Sequence, residues 1–100
     1  MELDWHPDAL RDVEDILDYV RSQSVDGARN VSFSIERAAE SCALVPFAGA
    51  KTNRANVYRS ALRDHRITIF YRVHRRQNVV EILRVVRSGR IKNLRSIPRR

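Results

Sequence analysis

The sequence predicts a two-layer α+β domain in which an N-terminal helical hairpin packs on a small, mainly antiparallel sheet. Two observations favour this fold class. Apolar residues recur every three to four positions in the first half, as in amphipathic helices, and from Val57 onward the apolar period changes to two, as in strands. With 100 residues, 43% of them hydrophobic, the chain is expected to form one domain over residues 1–100. The predicted element order is β-α-α-β-β-β.

Leu3 and Trp5 alternate with polar residues at the start of the chain and predict a first short strand. Two helices are predicted next. The apolar stripe of the first consists of Leu10, Val13, Leu17 and Val20. Pro7 suits its first turn, although the preceding His6 is a poor cap. After a break at residues 22–27, a second stripe runs over residues 28–45 until Pro46 ends it.

The second half of the chain predicts three strands that form an antiparallel meander. They are expected at residues 57–62, 66–74 and 79–86. The connectors between them are short enough for hairpins. Residues 47–56 contain turn-forming residues without an apolar period, so we interpret this segment as an irregular crossing loop.

Alternation along the strands predicts which face each side chain occupies. Ile67, Ile69 and Tyr71 are expected to face the helices, since burying each aliphatic side chain contributes ~1.5–3 kcal/mol. The residues sent to the opposite, partly open face are Arg66, Thr68, Phe70 and Arg72. On the last strand, one face is predicted to hold Val80, Ile82 and Val86, and the other Val79, Leu83 and Val85. Such a strand should be central in the sheet.

Charge is sorted along the chain. Residues 1–26 carry eight carboxylates and two arginines, whereas residues 51–100 carry fifteen lysines or arginines against Asp64 and Glu81. A half that is this basic predicts a polyanionic partner, either nucleic acid or an acidic protein segment. Two arginines flanking Phe70 on the open face would suit phosphates and bases, and a solvated strand face would show the same pattern.

Composition also argues against several classes of protein. No apolar run approaches the ~18–20 residues that span a bilayer, and the start of the chain is acidic where a signal peptide carries cations, so a cytoplasmic protein is expected. Cys42 is the only cysteine, which leaves no internal disulfide, and we interpret it as a small core residue. Asp64 and Glu81 are too isolated for a metal site, and no cofactor is expected.

Several segments share their order and spacing with a known family. They are Ala9…Asp12-Val13…Ile16…Tyr19-Val20, Pro46 with Gly49, Tyr58-Arg59…Ile69-Phe70-Tyr71-Arg72-Val73 and Val80-Glu81-Ile82-Leu83-Arg84-Val85. From Leu3 to about Arg90 the chain resembles the RelE/ParE superfamily of bacterial toxins. The resemblance implies the toxin of a type II toxin–antitoxin pair. It also implies a cognate antitoxin whose acidic, partly disordered C-terminal segment wraps the toxin, for which a basic groove beside an apolar helical face is suitable.

The resemblance leaves more than one activity open. ParE-like members poison DNA gyrase, and RelE-like members cut messenger RNA on the ribosome; an inactive homologue or a nucleic-acid-binding module is a further alternative. The segment 82–86 and the first helix look more like the ParE-like branch. In the ungapped register that aligns Tyr71 with the tyrosine of RelE-like toxins, Thr68 occupies the position of their strand arginine. No histidine or tyrosine follows Arg90.

These alternatives yield two sets of candidate residues. For a metal-independent endoribonuclease, the candidates are Arg59, Arg66, Arg72, His65 and His74. Arginine stabilises phosphate charge but, with a pKa above ~12, is a poor proton acceptor, so a histidine would have to be the general base unless both histidines are exposed turn residues. For binding a polyanion or target, the candidates are Arg66, Arg72, Arg84, Arg87, Arg90, Lys92 and Arg95. The last three lie in residues 88–100, predicted to be a basic tail or a short helix.

Overall fold

The computed structural model describes residues 1–87 and confirms the predicted two-layer architecture. In chain order its helices and strands are β1 (Glu2–Trp5), α1 (Pro7–Gln23), α2 (Val25–Leu44), β2 (Ala50–Lys51), β3 (Val57–Leu62), β4 (Ile67–His74) and β5 (Val79–Arg87). The five strands form one sheet in the order β1-β5-β4-β3-β2. β1 runs parallel to β5 and the other neighbours are antiparallel. The short strand β2 corrects the prediction of an irregular loop over residues 47–56.

The two helices form the predicted hairpin, and the side chains of His6 and Ser24 cap their N-termini. His6 caps α1, because its Nδ1 accepts a hydrogen bond of 3.0 Å from the backbone N–H of Asp8. The interpretation of His6 as a poor cap is therefore wrong: a neutral imidazole supplies the acceptor that the first turn needs. The break between the helices is the single residue Ser24, whose Oγ accepts from Gly27 N at 3.0 Å. No helix in residues 1–87 has the length and apolar character needed to cross a membrane.

The main core lies between the helical hairpin and one face of the sheet. Ile67, Ile69 and Tyr71 are buried in it, as predicted, and β5 is a central strand. Cys42 is buried in the same core, which agrees with its interpretation as a core residue. The Tyr71 hydroxyl donates a 2.8 Å hydrogen bond to the carbonyl oxygen of Pro46, which ties the loop after α2 to β4.

A β-bulge in β5 inverts the alternation of its side chains. The pairing register shifts between Phe70 and Tyr71, which leaves Leu83 as an extra residue on β5. Beyond the bulge, Val85 joins the helix-side core and Val86 lies on the other face. The predicted faces of Val85 and Val86 are therefore wrong, because strict alternation holds only in a strand without an inserted residue. On the face opposite the helices, which the sequence predicted to be partly open, Val57, Phe70, Leu83 and Val86 are buried in a second apolar cluster.

We expect alkaline pH to destabilise this core. Burial raises the pKa of Cys42 from 9.0 to about 11 and the pKa of Tyr71 from 10.0 to about 12. The unfolded chain therefore loses these protons at lower pH than the folded chain. The stabilisation is fully present below pH 9 and is lost as pH rises toward 12, with each group contributing about 2–3 kcal/mol.

Urea unfolding at pH 8 and pH 11 measures this loss. The variant Cys42→Ala/Tyr71→Phe removes both titrating groups, so its free energy of unfolding should change less between the two pH values. A decrease as large as that of the parent protein would contradict the assignment.

Candidate functional site

The sheet face opposite the helices carries a cleft of about 570 Å³, between the loop that precedes β2 and the strands β3, β4 and β5. Its charged lining residues are Arg59, Arg63 and Arg87, and its apolar lining includes Phe70 and Val86. We call this site the basic cleft. It lies on the face that the sequence predicted to be open and rich in arginine.

Strand pairing explains how these side chains meet. Arg59 on β3 pairs with Phe70 on β4, and Ala61 pairs with Thr68 two residues further along. Paired residues project from the same face of a sheet, so all four point into the basic cleft. The small side chain of Ala61 leaves room between the arginines. Thr68 lines the basic cleft at the position where the family resemblance expects an arginine in RelE-like members.

Neither candidate histidine lines the basic cleft. Nε2 of His65 lies 3.1 Å from Oγ of Ser34 on α2, in a neighbouring cavity that Arg37 lines and that shares Arg63 with the basic cleft. Nε2 of His74 lies 2.9 Å from Oε1 of Glu81 on the neighbouring strand. The ribonuclease alternative requires a histidine close to Arg59, and the structure places neither histidine there.

Arg66 and Arg72 also lie away from the basic cleft. Arg66 follows a 3-10 turn (Arg63–His65) with a φ of 55°, in the left-handed region, and precedes the first residue of β4. Its predicted place in the alternation of β4 is therefore wrong. Arg72 is half-buried in β4 and pairs with Val57 on one side and Glu81 on the other. Binding roles for these two residues stay predictions.

Arg84, a candidate for target binding, forms an ion pair inside the molecule. Its Nε lies 2.7 Å from Oδ2 of Asp12 and its Nη2 lies 2.9 Å from Oδ1, so the pair is bidentate. Oδ2 of Asp12 also accepts a 2.9 Å hydrogen bond from Val85 N. Hydrogen bonding to Asp12 raises the pKa of Arg84. The bulge explains this placement, because it bends β5 at the residue before Arg84. The ion pair anchors α1 to β5.

Of the arginines in the basic cleft, Arg87 was predicted as a target-binding residue and Arg63 was not predicted. Arg87 is a predicted target-binding residue, and its guanidinium stacks over the half-exposed ring of Tyr19 at 4.5 Å from the centroid. Arg63 was missed because it reads as part of a hairpin connector. Strand parity gives no signal for it, because β3 ends at Leu62 and Arg63 begins the 3-10 turn. Arg90, Lys92 and Arg95 lie outside the described residues.

The basic cleft has the chemistry of an anion-binding site. Guanidiniums donate hydrogen bonds and stay charged, so they bind phosphates or carboxylates but do not accept protons. The hydroxyl of Tyr71 lies on the helix side of the sheet, donates to Pro46 and has a pKa raised to about 12 by burial. In the part of the chain that the structure covers, no three His, Cys, Asp or Glu side chains are grouped to hold a metal ion.

Three solved structures share this fold. The isolated E. coli RelE toxin is 19% identical with a TM-score of 0.64, over 91% of this chain and 87% of that one. A chain of the intact E. coli RelBE toxin-antitoxin complex is 20% identical with a TM-score of 0.64, over 89% and 98%. A chain of the chromosomal ParDE toxin-antitoxin system from P. aeruginosa is 18% identical with a TM-score of 0.67, over 89% and 97%. At these identities the likeness establishes the fold.

The sequence itself places the chain more narrowly. Residues 3–92 match the family described as the ParE toxin of the type II toxin-antitoxin system parDE, and the chain belongs to that family. No curated protein matches the chain significantly. The predicted membership of the RelE/ParE superfamily is confirmed.

Proposed function

We propose that this toxin inhibits DNA gyrase by binding the enzyme and stabilising cleaved DNA. The observation that carries the proposal is that the arginines of the basic cleft and the two candidate histidines lie in different places. Three guanidiniums line the basic cleft, while His65 and His74 are hydrogen-bonded elsewhere. Such a cleft can hold an anionic target but lacks, among its described lining residues, a side chain suited to act as general base. The match to the ParE toxin family supports the same choice.

We also propose a cognate antitoxin with an acidic, partly disordered C-terminal segment as the physiological partner. The arginines of the basic cleft provide complementary charge for such a segment. On the helical hairpin, exposed apolar residues such as Leu10 and Phe33 provide a surface for an amphipathic partner. Toxin and antitoxin would act together in the cytoplasm.

A RelE-like, ribosome-dependent endoribonuclease is the second candidate function. Its support is the similarity in fold to the isolated E. coli RelE toxin and the presence of Arg59 and Arg63 in one cleft. Guanidiniums stabilise the charge that develops on a phosphate during cleavage. This activity would require a general base from outside the basic cleft.

Two assays on the purified toxin separate the candidates. Gyrase supercoiling should be inhibited and cleaved DNA should accumulate, whereas messenger RNA on translating ribosomes should stay intact. Arg59→Glu/Arg63→Glu should raise the toxin concentration for half-inhibition roughly tenfold or more, since it reverses two charges in the binding site.

The matched control is Arg21→Glu/Arg29→Glu, which makes the same change in net charge on exposed positions of the helices. It should inhibit gyrase as the parent toxin does. Unimpaired supercoiling at micromolar toxin, together with cleavage of ribosome-bound messenger RNA, would refute the gyrase proposal in favour of the nuclease.

A further inference from the structure

A second basic cavity lies beside the basic cleft, at the loop between β2 and β3. It has a volume of about 340 Å³, and we call it the loop cavity. Its cationic lining residues are Lys51, Arg54 and Arg75, accompanied by the polar side chains of Thr52, Asn53 and Asn56. None of its described lining residues carries a carboxylate, and residues 41–63 contain no Asp or Glu. An anionic ligand would therefore meet concentrated positive charge here.

The loop that presents these cations is held by its own hydrogen bonds. Thr52 donates to the carbonyl oxygen of Val57 through both its N–H, at 3.1 Å, and its Oγ1, at 2.8 Å. Oγ1 of Thr52 also accepts from Arg54 N at 3.2 Å. Asn56 adopts a φ of 63°, and its carbonyl oxygen accepts from Val73 N at 2.9 Å. A loop organised in this way loses little conformational entropy when it binds a ligand.

An exposed aromatic ring stands at the edge of the loop cavity. Phe47 is 48% exposed, and its ring contacts Tyr58 edge to face at 5.7 Å between centroids. Tyr58 in turn stacks on Tyr71 at 5.7 Å, so buried rings support Phe47 from below. The guanidinium of Arg75, which also lines the loop cavity, lies 4.5 Å above the Phe47 ring. Arg75 thus covers one face of the Phe47 ring and presents the outer face of its own planar guanidinium, and we call this supported stack the platform.

We propose that the loop cavity and this platform bind single-stranded nucleic acid. Lys51 and Arg54 contact the phosphates, and an unpaired base stacks on the outer face of the Arg75 guanidinium, which Phe47 supports from below. Basic grooves that carry aromatic platforms are the usual means of binding single strands, because an unpaired base exposes the flat face that a duplex keeps stacked. An acidic peptide would use the cations but has no planar group to stack on the platform.

The surface meets the basic cleft at the β2 edge of the sheet. Ala50 lines the basic cleft, and its neighbour Lys51 lines the loop cavity. Because neighbouring residues of a strand point to opposite faces, the two sites lie on opposite sides of this edge, and the single-strand site is distinct from the basic cleft. This binding requires neither gyrase nor the ribosome, so it goes beyond the proposed function and is tested separately from it.

Fluorescence anisotropy with a labelled dT12 oligonucleotide, from 50 to 200 mM salt, tests the phosphate contacts. Lys51→Glu/Arg54→Glu should weaken binding roughly tenfold or more at 100 mM salt. It should also flatten the slope of log K against log salt by about 1.4, since each phosphate contact with a single strand contributes about 0.7. Arg21→Glu/Arg29→Glu, with the same net charge, should change the affinity by only about twofold, because those charges act over a screened distance. Equal losses in the two double variants would overturn the proposal.

A second pair of variants tests the platform. Phe47→Leu keeps an apolar side chain against Tyr58 but removes the ring on which the Arg75 guanidinium rests, so it should weaken dT12 binding about fivefold or more. Phe33→Leu, at an exposed ring on α2, should leave the affinity unchanged. Circular dichroism melting establishes that each variant is folded. Binding of a 12-bp duplex or of polyglutamate as tight as that of dT12, or unchanged dT12 affinity in Phe47→Leu, would refute a single-strand site.

Discussion

Replacing Gly49 by valine is expected to lower the free energy of unfolding by about 3–4 kcal/mol. A Cβ atom at this position would overlap the hydroxyl of Tyr71 and lie 2.8 Å from the backbone carbonyl oxygen of Arg59. Neither neighbour can yield. Tyr71 is buried and donates to Pro46, and Arg59 belongs to the paired strand β3. Urea unfolding of the two proteins measures the difference.

Two further variants make this test specific. Ala50→Val places the same side chain at the next residue, which is exposed in β2, and should change stability by less than about 0.5 kcal/mol. Tyr71→Phe removes the atom closest to the added Cβ. In a double-mutant cycle with Gly49→Ala, the two losses should therefore sum to more than the loss of the double variant. Additive losses would show that Gly49 and Tyr71 do not approach each other as the structure places them.

Gly49 connects the core to the candidate site. It lines the basic cleft on one side and touches the hydroxyl of Tyr71 on the other. The absence of a side chain lets the loop after α2 lie flat against β3, where it forms one wall beside Arg59. A valine at position 49 should thus impair target binding in addition to stability.

The layers and the antiparallel meander of β3, β4 and β5 could be predicted because each depends on a repeated pattern, whereas β2 and the pairing of β1 with β5 were not predicted. The alternation of Ile67, Ile69 and Tyr71 needed no knowledge of distant residues. The bulge in β5 could not be predicted in the same way. Leu83, Val85 and Val86 are all apolar, so the pattern looks equally good with or without an inserted residue, and only pairing with β4 reveals the shift.

The site was predictable only where strand parity sets the position of a side chain. Arg59 and Arg87 lie in the basic cleft, as members of a basic strand region should. The partners of the other candidates depend on tertiary contacts that a linear pattern does not contain. His65 meets Ser34, 31 residues away, and Arg84 meets Asp12, 72 residues away. From the sequence alone such side chains look like free surface charges or turn residues, although in the folded chain they are hydrogen-bonded to distant residues.

Replacing Asp12 by alanine is expected to cost about 2–4 kcal/mol of the free energy of unfolding. The carboxylate accepts two hydrogen bonds from the Arg84 guanidinium and one from Val85 N, and both side chains of the pair are mostly shielded from water. Its removal leaves the guanidinium and the backbone N–H without this acceptor. Asp15→Ala, at an exposed carboxylate on the same helix, is the matched control and should change stability by less than about 0.5 kcal/mol.

A double-mutant cycle with Arg84→Met separates anchoring of α1 from target binding. If Arg84 anchors the helix, both single variants lose stability and the double variant loses less than their sum, with a coupling energy of about 1–3 kcal/mol. Gyrase inhibition by the folded fraction is then the same in both. If Arg84 instead contacts the target, Arg84→Met abolishes inhibition while Asp12→Ala, which frees the guanidinium, retains or strengthens it. The ion pair of the folded chain predicts the first result, because a guanidinium engaged by both oxygens of Asp12 would have to break that pair to reach a target.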